Sequence, residues 1–170
     1  KREDIELYFK KYYTIFWNSF FYLQIPFLVR WKTIFGDLES FVIWGNVGIN
    51  QNIILEKNFK EVDKKSNNLE IKKEQYIANI ISMSDTDENE TMFGVNASSI
   101  AEISSIPRAS VIRKLDQLSK KNIIKRNKKL EYFLTGQGIL NEKIKANYLV
   151  NQKKIALFVT DIFNLIKNLH

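Results

Sequence analysis

The sequence predicts a mainly α protein carrying one short β-hairpin, and three observations predict it. Apolar residues recur at helical spacing over most of the chain. Two short β-prone runs, 123–126 and 130–134, flank the polar pair Lys128-Lys129. Positive charge is concentrated around those runs: residues 1–92 hold 12 basic and 14 acidic side chains, residues 93–135 hold 9 and 3, and residues 136–170 hold 5 and 2.

The elements follow in chain order. Residues 5–23 are helical in character and apolar on most sides, and 14 of the 22 aromatic residues lie within 8–44. A helix apolar all round is either deeply buried or in a membrane. The run 12–29 approaches spanning length, but Asn18, Ser19, Gln24 and Pro26 interrupt it, so burial against a partner subunit is expected. Residues 27–35 and 37–57 read as further helices, with Gly36 as the stop and Asp37 as the cap. Gly45 and Gly48 permit either close helix packing or a cavity for a small-molecule effector. Residues 64–68 form a polar break, and 69–83 read as a supporting helix. Asp85-Thr86-Asp87-Glu88-Asn89-Glu90 resembles a calcium loop in its acidity alone. Its sixth position is Glu90 where glycine is needed, and its twelfth is Asn96 where glutamate is needed, so a solvated loop is expected.

The central segment carries the functional expectation. Residues 96–103 open a short helix, with Ser99 and Glu102 spaced as a capping box. Ser104-Ser105 break it, and Pro107 starts a second helix running to about Lys121. Val111, Leu115 and Leu118 form its buried stripe, while Ser110, Arg113, Lys114 and Gln117 form the opposite polar face. The hairpin follows, and Met92-Phe93-Gly94-Val95 supplies a small third strand. That order is a winged helix-turn-helix. Residues 139–169 carry Ile155, Phe158, Val159, Ile162, Ile166 and Leu169 at helical spacing and read as a C-terminal helix. Three regions are therefore expected: 1–68 for dimerisation and any effector pocket, 69–138 for DNA binding, and 139–170 for dimerisation.

Composition excludes much else. The chain has 170 residues, a formal net charge of +7 and a hydrophobic fraction of 45%, enough for a sizeable core. It has no cysteine, and its one histidine is the last residue, His170. Disulfide scaffolds, thiolate zinc sites, cysteine nucleophiles and histidine catalysis are therefore not expected, nor is any cofactor or enzymatic role. Lys, Asn and Ile make up 61 residues against only 5 Arg. Such a bias fits an AT-rich genome, in which each arginine is more informative than each lysine.

Ser99-Ile100-Ala101-Glu102 followed by Ile106-Pro107-Arg108-Ala109-Ser110-Val111 resembles the helix-turn-helix of bacterial winged-helix repressors. Leu134-Thr135-Gly136-Gln137-Gly138 is similar to the Leu-Thr-x-x-Gly that ends the wing of MarR-type regulators. The resemblance implies a cytoplasmic, homodimeric DNA-binding regulator whose flanking helices make the dimer. Ser110, Arg113, Lys114 and Gln117 are then expected to read bases in the major groove. Arg108, Lys125, Arg126, Lys128 and Lys129 are expected to hold phosphates of double-stranded DNA. An architectural or protein-interaction module without sequence-specific reading is the alternative.

Overall fold

A computed structural model describes residues 2–63, 94–135 and 139–167. It is mainly helical, with one small antiparallel sheet. The expected helix at 69–83, the polar break at 64–68, the acidic loop at 85–90, Met92, Phe93, Gly136 to Gly138, Leu169 and His170 lie outside the described residues. The helices are α1 (Arg2–Lys11), α2 (Tyr13–Phe35), α3 (Leu38–Asp63), α4 (Ala97–Ser104), α5 (Arg108–Lys120) and α6 (Ile139–Lys167), with strands β1 (Ile124–Arg126) and β2 (Tyr132–Leu134) between α5 and α6. The chain divides into two compact units, one formed by residues 1–36 with 143–170 and the other by residues 37–142.

In the first unit the break falls at Tyr12, whose backbone leaves the helical region, rather than at Pro26 as the sequence suggested. Proline lacks the amide that would bond back to Tyr22, and such a residue costs a helix interior about 3 kcal/mol. Tertiary packing on both sides of Pro26 outweighs that cost. Trp31 and Phe35 are buried one turn apart, and Trp31 stacks edge-on against Tyr148 of α6 at 5.6 Å. Further along, Phe16 and Phe20 each meet Phe158 at 6.4 Å. Arg30 ties the same two helices through polar groups, its guanidinium donating to the Oδ1 atoms of Asn147 and Asn151, which lie one turn apart. Gly36 ends α2 in the left-handed conformation (φ 92°), its amide bonding to Lys32 O at 2.7 Å.

The second unit opens on the expected cap. The Ser40 amide donates to Asp37 Oδ1 at 2.7 Å, which satisfies a free donor of the first turn of α3. The sequence placed α3 with the N-terminal region. It instead packs on α4, α5 and β2, and three neighbouring residues show how. A Cβ on Gly48 would lie 3.1 Å from Leu134 Cδ1, so this glycine admits strand β2; at Gly45 nothing lies within 4 Å. Asn50 Nδ2 donates to Gly94 O at 3.0 Å, and Gln51 Oε1 accepts from the Leu134 amide at 3.0 Å. Ile43, Val47, Ile100, Val111, Leu115, Leu118, Ile123 and Ile124 close the core beneath.

Candidate nucleic-acid interface

The two short helices of this unit are set by their ends. Asn96, not Ser99, caps α4: its Oδ1 accepts from the Ser99 amide at 2.9 Å. The expected capping box between Ser99 and Glu102 is therefore displaced by three residues, because Ser99 already lies inside the first turn. Ser105 then leaves the helix in the left-handed region (φ 56°). The segment Ser105-Ile106-Pro107 carries the chain into α5, where Pro107 occupies the N-cap. Its missing amide costs nothing there, since that donor would have no helical partner.

On α5 the expected stripe is buried: Val111, Leu115 and Leu118 all lie in the core. The expected polar face holds only in part. Arg113 and Gln117 are exposed, and neither has a side-chain hydrogen bond among the described residues. Ser110 is half-buried. Lys114 is a correction, for its side chain is only 7% exposed. Its Nζ lies 2.7 Å from Asp37 Oδ1 and 3.3 Å from Glu39 Oε2, so it fastens α5 to the start of α3 and is not presented outward. Helical geometry explains the error. At about 100° per residue, Lys114 sits roughly 65° from the centre of the apolar stripe, whereas Arg113 sits roughly 165° from it.

That ion pair also sets the state of Asp37. Partial burial pushes its carboxyl up. Hydrogen bonds from Lys114 Nζ and from the amide and hydroxyl of Ser40, with the lysine charge, pull it down, and the net is below the ordinary carboxylate value.

The hairpin pairs Ile124 with Leu134, Lys125 with Phe133 and Arg126 with Tyr132. It is one residue shorter than the sequence suggested at the base of β1, where Ile123 is left out, and two shorter at the tip end of β2, where Asn127 reorganises the turn. Its buried Oδ1 accepts from the Lys129 and Glu131 amides, both at 2.9 Å, and its Nδ2 donates to Glu131 Oε2 at 3.1 Å. Leu130 takes a positive φ of 65° to complete the loop. Lys128 and Lys129 are exposed on it. Arg126 lies 5.4 Å from the Tyr132 ring centroid, and Lys125 is half-buried. Arg108 is exposed at the start of α5 and donates to Ser98 Oγ at 3.0 Å.

Besides the Gln51 bond to Leu134, two further links secure this hairpin. The third strand is reduced to a single bridge, with Val95 and Tyr132 exchanging amide bonds of 3.0 and 2.9 Å. Gly94 is required beside it, since a Cβ there would fall 2.5 Å from Glu131 Cβ. At the base, the Thr135 hydroxyl donates to Asn122 O and its amide to Ile123 O, which gives the Leu134-Thr135 pair a structural task.

Sequence reasoning missed Asn127 as the organiser of the tip, although asparagine at a turn is itself a signal. It also missed Gln51 and Asn50, whose roles depend on contacts 83 and 44 residues away. Among the described residues no group of three His, Cys, Asp or Glu gathers to hold a metal, and no helix is long and apolar enough to cross a membrane. Comparison with protein-family models, curated proteins and solved structures finds no match to this chain.

Proposed function

We propose that the chain is a sequence-specific, non-enzymatic DNA-binding transcriptional regulator, working as a homodimer in a bacterial cytoplasm. This reading takes α4, the three-residue turn, α5 and the β1–β2 hairpin as a winged helix-turn-helix of MarR type. The observation that carries it is the outward face of α5. Arg113 and Gln117 stand exposed there with their hydrogen-bonding groups uncommitted, on a helix whose other side is locked into a core. Long side chains of this kind make bidentate contacts to base edges in a major groove. Exposed Lys128 and Lys129, on a tip stiffened by Asn127, suit phosphate contacts from the wing. Lys114 has no part in base reading on this view, because its charge is spent on Asp37 and Glu39.

The homodimer rests on the first unit. Ile15, Tyr22, Ile25 and Val29 are all exposed and recur along α2 at spacings of seven, three and four, a single stripe that no described residue covers. Helices with such a seam pair with another helix.

The test is fluorescence anisotropy with duplexes from the gene's own upstream region and scrambled duplexes of equal composition, over a salt series. A gap of about 10³-fold or more is expected of a specific reader. Arg113→Ala should cost roughly 1–3 kcal/mol at one base pair and relax discrimination there. Lys128→Ala should weaken all duplexes alike and lower the salt slope by about one unit. Equal binding of matched and scrambled duplexes by every upstream fragment would favour an architectural module, and no binding at low salt would end the DNA reading.

A further inference from the structure

The outward face of α5 is not uniformly basic. Ala109, Arg113, Asp116, Gln117 and Lys120 are its exposed residues, and Asp116 is the one acidic side chain among them. It has no ion pair or hydrogen bond among the described residues, not even to Lys120 one turn on. Its carboxylate is thus a bare anion inside the most basic segment of the chain. At about 100° per residue, it lies roughly 60° around the helix from Arg113 and one turn closer to the C-terminus.

A face that bound only phosphates would lose affinity by carrying a carboxylate there, because every charge of that sign works against the polyanion. A face that reads bases has a use for an acceptor. Guanine offers two acceptors on its major-groove edge, thymine one acceptor and a methyl group, and adenine an acceptor beside its amine. Cytosine alone offers a donor, its N4 amine, with no acceptor of its own beside it.

We infer that Asp116 is a specificity-determining residue of α5, accepting a hydrogen bond from the N4 amine of a cytosine near the base pair met by Arg113. The inference rests on the proposed DNA-reading function and deepens it by assigning one base. Arg113 contributes attraction and a preference for guanine; Asp116 contributes little net affinity and rejects thymine, guanine and adenine at its own position.

The experiment is selection from a pool of random duplexes by the full chain and by Asp116→Asn, followed by binding measurements on the selected site and its single-base variants. Asp116 is exposed, so the near-isosteric change leaves the core untouched. The wild type should select a motif with cytosine at one position and lose about tenfold in affinity when that base alone is changed. Asp116→Asn should keep the rest of the motif and shift that position toward adenine, whose amine and N7 match a carboxamide. An unchanged motif for the variant, or a gain of affinity equal for all sequences, would overturn the assignment while leaving the regulator reading intact. A wild type that selects no motif would overturn both, and that outcome is visible without the variant.

Discussion

The two units bury their apolar residues to different degrees, although Ile49, Ile103 and Leu130 of the second are exposed as well. In residues 37–142, Ile43, Val47, Ile100, Val111, Leu115, Leu118, Ile123 and Ile124 are each 1% exposed or less. In the other unit Trp31, Phe35 and Ile144 are buried, yet Tyr13, Ile15, Phe21, Tyr22, Ile25, Val29, Leu149, Leu157 and Phe163 face outward. Helices alone can bury only the stripe that meets a neighbour, whereas helices packed against a hairpin enclose a core from several sides. The difference separates a part with an enclosed core, which holds the outward face of α5 in place, from a part whose helices leave more of their apolar surface open.

The strongest way to break that contrast is to open the closed core. Leu115→Ala should cost about 2–5 kcal/mol, because it removes a fully buried side chain from α5, the helix that packs on α3, α4 and β1. Urea unfolding at fixed protein concentration measures it, and a loss below 1 kcal/mol would mean that the core is looser than its burial indicates.

A smaller effect should come from the exposed stripe. If a second copy covers it, the wild-type Tm should rise with protein concentration, and Ile25→Glu should abolish that rise. Each copy would forfeit roughly 1.5–3 kcal/mol of side-chain burial. Sedimentation should then show a lighter species. A wild-type Tm that is flat with concentration would remove the second copy as the cover.

The smallest effect sharpens the contrast by isolating a polar contact. Asp37→Ala should cost about 0.5–2 kcal/mol through the lost cap, whereas Asp37→Asn keeps a capping oxygen and loses only the charge facing Lys114. The sign with pH follows from the direction of its shift. The folded carboxyl titrates below its unfolded value, so its contribution is present above about pH 4 and is lost as pH falls through the lower folded value. The stability difference between wild type and Asp37→Asn should therefore shrink on acidification below about pH 4. A difference that is constant from pH 7 to pH 2 would show that the ion pair contributes nothing.

Local rules carried the reading of the second unit a long way. The Gly36 stop, the Asp37 cap, the break at Ser105, the buried stripe of α5 and the position of the hairpin all depend on residues within a turn or two of one another. The same rules failed at Pro26, where a local penalty of about 3 kcal/mol was weighed without the packing that offsets it. At Ser99 the spacing was right for a capping box, but Asn96 was the better-placed acceptor. Lys114 was assigned to the polar face by its chemistry, although its angle already placed it beside the apolar stripe.

Alone, the sequence determined the helical character of the chain, the charge concentration of residues 93–135 and the helix–turn–helix–hairpin order within them. These follow from periodicity, caps and turn residues, whose energies act over a few positions. Only the tertiary structure decided that α3 belongs with the hairpin and that Lys114 is an internal clamp while Arg113 and Gln117 keep the outward face the periodicity gave them. Those outcomes depend on which surfaces meet across dozens of residues: Gly48 against Leu134, Gln51 against β2, Asp37 against Lys114. A long side chain at the edge of a buried stripe can turn inward or outward, and the carboxylates waiting on a distant helix end decide which.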